Sequence, residues 1–356
     1  VSSSSGWKNC LISREADLKP LRVAIVGATG LVGQEFIKIL QQRRFPVERL
    51  SLLASDRSAG RKLDYNGQSL TVEETTSDSF EDIDVALFSA GADISRHFSP
   101  IAAKKGAVVI DNSSAFRMEA GVPLVVPEVN IEDAQNHKGI IANPNCSTIQ
   151  MVVALNPLHK FNPIKRVIVS TYQAVSGSGT PAIDALSEQT RTVLEGQAVT
   201  PHVYPHQIAF NLLPEIDIFL DTGYTREEWK MMVETRKIMH LPNLPVSATC
   251  VRVPVYIGHS EALNVEFERP ISEDEARNIL ARAPGIRVLD DPTISLYPHP
   301  WMAASTDETW VGRIRQDSSH PKGLVMWVVA DNVRKGAALN AVQIAEEMHR
   351  RGWLGG

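Results

Sequence analysis

The chain predicts an α/β domain with a doubly wound sheet, followed by an α+β domain on a mixed sheet. Three observations carry this reading. Short β-branched runs alternate with helix-compatible stretches over roughly the first 125 residues, the order of parallel βαβ units. A glycine-rich turn, Gly27 to Gly33, stands directly between the first such run and the first amphipathic stretch. Beyond Cys146 the strand-like runs are longer and follow one another more directly, which suits a mixed or antiparallel sheet. With 356 residues, two domains can each bury a full core.

Taken in order, Leu21 to Gly27 (LRVAIVG) reads as a buried strand and the stretch to about Gln42 as a helix. Leu50–Ala54, Asp84–Phe88 and Ala107–Asp111 are further strands, with a helix over Ala92–Gly106 that ends on a glycine cap. Ser147–Leu155 and Ile183–Leu194 read as helices on either side of a strand at Arg166–Gln173. Two strands are expected at Thr249–Tyr256 and Ala262–Glu268, then a helix over Ser272–Ala283 with Glu275 at capping-box spacing from Ser272. Leu324–Ala330 is a last apolar strand. Arg334–Arg351 is a long amphipathic helix with Ala338, Val342, Ala345 and Met348 along one face.

Composition excludes several classes. At 43% hydrophobic and 22% charged residues the chain is neither disordered nor collagen-like. Lys and Arg number 36 against 41 Asp and Glu, so the net charge of −5 offers no footprint for nucleic acid. No apolar run reaches the ~20 residues that cross a bilayer. The three cysteines, Cys10, Cys146 and Cys250, are odd in number and far apart, which fits neither a disulfide framework nor a metal knuckle and points to a reducing compartment. Residues 1–20, with Ser2 to Gly6, read as a disordered lead, either a cloning tag or the remnant of a targeting peptide. The location expected is therefore the cytoplasm, or the plastid stroma if that lead is a transit remnant.

Four segments carry chemistry. Gly27-x-x-Gly30-x-x-Gly33 has a first gap one residue longer than G-x-G-x-x-G and could be a tight βα turn alone, but its place after the first strand and before a helix favours a Rossmann-like nucleotide site, where the backbone approaches a pyrophosphate and offers it the helix N-terminus. Ser55, Arg57 and Ser58 follow the second strand, where an Arg accommodates the 2′-phosphate of NADP. Asp56 beside them leaves the ribose hydroxyls of NAD open. Cys146, after Asn143-Pro144-Asn145, begins a helix whose dipole would lower the thiol pKa. His259, placed just past a strand end, is one of ten histidines. Arg252 nearby presents a planar fork suited to a carboxylate.

In sequence order, GATGLVG, DNSSAFR (Asp111–Arg117), PNCST (Pro144–Thr148), STYQAVSGSG (Ser170–Gly179), ETRK (Glu234–Lys237), RVPV with His259, and RKGAALN (Arg334–Asn340) together resemble the aspartate-β-semialdehyde dehydrogenase family in its bacterial and plant form. The resemblance runs from Leu21 to about Arg350. It implies that Cys146 is an acyl-forming nucleophile, His259 its acid/base and Gln173 the glutamine that orients the substrate. It implies that Arg252 grips the substrate carboxylate, Glu234 meets its ammonium, and Arg117 and Lys237 bind phosphate. Thr29, Gly30, Leu31, Val32, Arg57, Ser58, Ser176, Gly177 and Asn332 match the cofactor positions, and the cofactor implied is NADP.

The reaction implied is NADPH-dependent reduction of L-aspartyl-β-phosphate to the semialdehyde through a Cys146 thioester, in lysine, threonine and methionine synthesis. The resemblance further implies domains at 21–144 with 335–356 and at 145–334, and a homodimer or homotetramer. The nearest alternative, N-acetyl-γ-glutamyl-phosphate reductase, has glycine before its cysteine, whereas Asn145 precedes Cys146 here. A non-catalytic NADPH-binding regulator would need neither Cys146, Gln173 nor His259.

Overall fold

A computed structural model describes residues 19–354, so nearly all of the expected lead lies outside the described residues. Strand β1 (Leu21–Val26) is apolar at almost every position because both its faces are covered. Leu21, Val23 and Ile25 enter one core, Ala24 and Val26 the other. Helix α1 (Leu31–Gln42) packs on the first face through Phe36, Ile37, Ile39 and Leu40.

Around β1 run β2 (Val47–Ala54), β3 (Lys62–Tyr65), β4 (Gln68–Glu74), β5 (Val85–Phe88), β6 (Val108–Asp111) and β7 (Ile140–Ala142). Their order is β3-β4-β2-β1-β5-β6-β7, parallel except for the β3–β4 hairpin. The chain therefore turns from one side of β1 to the other, and the glycine turn lies at that switch point, where open α/β sheets bind ligands. Helix α2 (Ala92–Lys104) lies over the second face, whose core includes Phe80 and Phe88. The sequence reading missed the β3–β4 hairpin and β7, which are too short or too polar to stand out.

The second sheet has the order β11-β12-β13-β10-β8-β9 and is mixed. It comprises β8 (Ile164–Gln173), β9 (Val246–Arg252), β10 (His259–Phe267), β11 (Ile286–Val288), β12 (Thr309–Gln316) and β13 (Gly323–Ala330). Helices α3 (Cys146–Phe161), α5 (Arg226–Ile238) and α6 (Glu273–Arg282) bury Leu155, Met231 and Leu280 against one face. Helix α4 (Thr180–Leu194) belongs to a smaller cluster with Val175 and Ile208. Ser272 caps α6 in the expected capping box with Glu275.

Three expectations need correction. The strand expected to run to Tyr256 ends at Arg252, because Pro254 has no N–H for the ladder. His259 opens β10 rather than following a strand. The segment expected as one long helix from Arg334 begins with a π turn at Arg334–Ala338, and only then continues as α7 (Leu339–Arg350). Helix α7 packs through Leu339, Val342 and Met348 into the core of the first sheet.

Candidate active site

Three strand ends set three functional side chains in one row. Parallel pairing puts Gln173 of β8 directly opposite Arg252 of β9. The antiparallel register of β10 on β8, with Ser260 opposite Tyr172, continues to place His259 beside Gln173. Each lies on the core-facing side of its strand and is buried.

Arg252 donates from Nη1 to the carbonyl of Ala174 at 2.7 Å, and its guanidinium lies 5.9 Å from the Tyr204 ring centroid. Its Nε has no partner, and no carboxylate among the described residues pairs with it. His259 accepts the Ala174 N–H on Nδ1 at 3.0 Å, so a neutral ring carries its proton on Nε2. Burial first, and the nearby Arg252 charge second, hold this imidazole well below its ordinary pKa. Its Nε2 has no partner among the described residues. Gly177 leaves the adjoining space open, since an added Cβ would lie 2.9 Å from Arg252 Nη1 and 3.4 Å from His259 Nε2.

Cys146 enters from the first position of α3. Asn145 caps that helix, its Oδ1 accepting from the N–H groups of Ser147 (3.0 Å) and Thr148 (3.2 Å). Two carboxylates fix the cap: Asn145 N–H donates to Glu234 at 2.7 Å, and its Nδ2 to Glu227 at 2.8 Å. Gly336 of the π turn packs so closely that a Cβ would stand 2.9 Å from that of Cys146. The residue keeps some surface, yet burial of the thiol, with the Glu227 charge, pushes its pKa up to about 12. Arg252, Arg117 and the Ser147 N–H act the other way. Desolvation thus works against the helix start that was expected to lower the thiol pKa. Cys250 is a buried strand residue against Met231, as its context suggested.

The roles implied for Glu234 and Lys237 do not fit where they lie. Lys237 spends its ammonium on the carbonyls of Arg117 (2.7 Å), Val122 (2.9 Å) and Glu119 (3.3 Å). Glu234 is fully buried and pairs with Arg117 at 3.0 Å. Arg117 in turn reaches the carbonyls of Asn143 (3.0 Å) and Asn112 (2.8 Å). These three residues brace the wall behind Cys146.

The residues missed are Glu227 and Lys230, one heptad earlier on α5 with the same E-x-x-K spacing, a repeat visible in the sequence. Glu227 accepts from Gln173 at 3.1 Å as well as from Asn145. Burial would raise its carboxyl, but Lys230 and these hydrogen bonds outweigh burial and hold it below the usual range. Lys230 lies 3.2 Å from Glu227 and 2.8 Å from Asp217.

The first sheet supplies a cradle at the carboxyl ends of its strands. Gly27 has φ +88°, and its Cβ would stand 2.3 Å from Ser89 O. A Cβ on Gly33 would stand 2.1 Å from Gly27 O. Only glycine permits this approach of strand and helix. Gly30 leads into α1 with no side-chain cap and no acid in the first turn, Leu31, Val32 and Gly33, so the N–H groups there remain for an anion. Thr29 stands in the same turn. After β2, the turn of Asp56, Arg57 and Ser58 follows Ser55. Asp56 accepts the Arg57 N–H at 2.7 Å, and the Arg57 side chain is exposed. In the second domain Asn332 donates to Ser176 Oγ at 2.9 Å and accepts from Gly258 N–H at 2.8 Å, next to Gly177. These groups fit a dinucleotide. No group of metal-binding side chains occurs among the described residues.

Two family models match, the semialdehyde dehydrogenase NAD binding domain over residues 22–137 and the semialdehyde dehydrogenase dimerisation domain over 155–335. Aspartate-semialdehyde dehydrogenase of Aquifex aeolicus is 58% identical over 94% of this chain and 99% of its own length, and that of Bacillus subtilis 52% over 93% and 98%. The chain belongs to the aspartate-semialdehyde dehydrogenase family. Among solved structures, aspartate semialdehyde dehydrogenase II from Vibrio cholerae matches with a TM-score of 0.91 at 48% identity, covering 93% of this chain and 99% of that one. The same enzyme complexed with ASA matches equally in fold. The Candida albicans enzyme, solved with NADP, has a TM-score of 0.74 at 28% identity and covers 94% of this chain and 100% of that one. As in the family models, this aspartate-semialdehyde dehydrogenase family member joins a nucleotide-binding domain to a dimerisation domain, and the row of Gln173, Arg252 and His259 lies in the latter. No helix among the described residues is long and apolar enough to cross a membrane.

Proposed function

We propose that the chain interconverts L-aspartyl-β-phosphate and L-aspartate β-semialdehyde through a thioester on Cys146, with NADPH as reductant. The observation that carries this is Arg252: a buried guanidinium without a carboxylate, in one row with Gln173 and neutral His259, across the space left open by Gly177. A substrate α-carboxylate supplies the missing anion. Glu227, rather than Glu234, meets the α-ammonium, and Lys230, rather than Lys237, meets the phosphate. Support comes from their partners, since Glu227 touches Gln173 whereas Lys237 is saturated by carbonyls. Arg117 contributes charge from the wall behind Cys146.

Cys146 attacks the acyl phosphate as the thiolate that the Arg252 and Arg117 charges favour against desolvation; a C–S bond forms and inorganic phosphate leaves with the C–O electron pair. Bound NADPH would supply hydride to the thioester carbonyl. The Nε2–H of His259 donates to the oxygen that becomes negative, and collapse of that oxyanion releases the aldehyde and returns Cys146 as thiolate. Gln173, held by Glu227 and by the Thr171 hydroxyl at 3.0 Å, orients the acyl group.

For the cofactor, Gly27, Thr29, Gly30, Leu31, Val32 and Gly33 take the pyrophosphate, Ser55, Arg57 and Ser58 the 2′-phosphate, and Ser176, Gly177 and Asn332 the nicotinamide side. Exposed Arg57, with Asp56 engaged in its own turn, supports NADP over NAD. Residues 21–144 with 335–356 form the nucleotide domain and 145–334 the catalytic one. The second sheet has helices over one face and leaves Tyr172 and Trp327 on the other, which supports a homodimer across that face, alone or paired as a tetramer. Among the described residues Cys146 and Cys250 are free, which supports a reducing compartment, the cytoplasm or a plastid stroma.

The deciding experiment is Cys146→Ala. It should keep the circular dichroism and NADPH affinity of the parent and lose phosphate-dependent oxidation of aspartate semialdehyde. Activity within about tenfold of the parent, a loss under ~1.4 kcal/mol, rules out the thioester.

A further inference from the structure

One row below Arg252, Gln173 and His259, the sheet register aligns Cys250, Thr171, Glu261 and Val328. Glu261 faces the same core side as His259 and is fully buried. Neither of its carboxyl oxygens has a hydrogen-bond partner among the described residues. Opposite it on α3, one turn beyond Cys146, stands Gln150, also fully buried. Gln150 donates from Nε2 to the main-chain oxygen of His259 at 3.4 Å, while its Oε1 has no donor.

Two nearby donors on the sheet are already engaged. The Thr171 hydroxyl is engaged with Gln173 Oε1, and the Cys250 N–H with Glu228. The titratable groups around Glu261 are Cys250 on β9, His259 on its own strand, and Glu227 and Glu228 on α5 behind Cys250. No cation faces it from β8, β13 or α3 among the described residues. A carboxylate here would set three unpaired acceptors in one dry space, which a low dielectric penalises heavily.

We propose that Glu261 is a neutral carboxylic acid whose O–H donates to Gln150 Oε1, and that this link positions His259 against Cys146. The result is a continuous chain, Glu261 O–H to Gln150 Oε1 and Gln150 N–H to His259 O. It ties the strand that carries the histidine to the helix that begins with the nucleophile. Burial drives the Glu261 carboxyl well above its ordinary range and outweighs Gln150, which acts the other way as a donor to the ionised form. Glu261 touches no reacting atom and is a positioning residue. The kinetic part of this inference rests on the roles proposed above for Cys146 and His259.

The test compares Glu261→Gln, Glu261→Met, Gln150→Met and the double Met variant, each checked for folding by circular dichroism. Infrared difference spectra at about pH 8 should show a protonated-carboxyl stretch in the parent that Glu261→Gln lacks. Glu261→Gln keeps a donor for Gln150, so its kcat should stay within about threefold, with an unchanged pH profile between about pH 6 and 9. Glu261→Met and Gln150→Met should each lose at least about tenfold in kcat at nearly constant KM, and the double variant should be no worse than either.

The proposal fails if the parent shows an ionised Glu261, if Glu261→Met turns over like the parent, or if Glu261→Gln is as poor as Glu261→Met. A fully active Cys146→Ala would overturn the thioester instead and leave the infrared result standing.

Discussion

Gln173 donates to Glu227 at 3.1 Å, on the same oxygen that receives Asn145 at 2.8 Å. One carboxylate from α5 thereby couples the glutamine at the end of β8 to the cap of the helix that carries Cys146. The same charge opposes thiolate formation, whereas Arg252 favours it.

Glu227→Gln should therefore speed iodoacetamide labelling of Cys146 at neutral pH, because a charge that raises the thiol pKa is gone. Arg252→Leu should slow it. Both variants should raise KM for aspartate semialdehyde. Glu234→Gln should chiefly lower the melting temperature, since it leaves the Arg117 guanidinium without its buried partner. Equal labelling rates in all four proteins would remove Glu227 and Arg252 from the neighbourhood of the sulfur.

Arg252→Lys keeps a positive charge and loses the planar fork. A misplacement near 1 Å costs on the order of 100-fold in rate, so kcat/KM should drop at least about tenfold while the NADP dissociation constant stays unchanged. Steady-state kinetics beside cofactor fluorescence titration measures both. Wild-type efficiency would make Arg252 structural.

Gly177→Ala puts a methyl group 2.9 Å from Arg252 Nη1, a contact that the buried guanidinium can relieve only by leaving the Ala174 carbonyl. We expect kcat/KM to fall by about tenfold or more with a small change in melting temperature. A variant as active as the parent would show that the space beside Gly177 holds no substrate.

Arg57→Ala should weaken NADPH far more than NADH. A charged hydrogen bond to the 2′-phosphate is worth roughly 1.5–3 kcal/mol, and NADH has no such group. Fluorescence titration with both cofactors is the measurement, and equal weakening would move Arg57 away from that phosphate.

Burial depresses the His259 pKa, so the unfolded chain binds a proton there more readily than the folded one. The stability this group contributes is present above its unfolded pKa, about 6.5, and is lost as pH falls towards the folded value. Denaturant melts between about pH 7 and 5 should show a smaller acid loss for His259→Asn than for the parent. Parallel curves would place the acid sensitivity elsewhere.

Much of this protein was determined by the sequence alone. The β1–turn–α1 unit followed from the run LRVAIVG, which pattern and glycine spacing identify without help from distant residues. Cys146 could be singled out because Asn145 and the start of α3 are local to it. Local propensity explains both cases, since turn chemistry and helix capping act over a few residues.

The tertiary structure decided the rest, where the outcome depends on which chain segment arrives opposite which. Helix α5 offers two E-x-x-K pairs in sequence, and only its packing against α3 shows that Glu227 faces Gln173 while Lys237 is absorbed by the carbonyls of Arg117, Glu119 and Val122. Only the register of β8, β9 and β10 brings Arg252, Gln173 and His259 into one row. The state of the Cys146 thiol was likewise undetermined, because desolvation is a property of everything packed around it, and here it outweighs the helix start that the sequence shows.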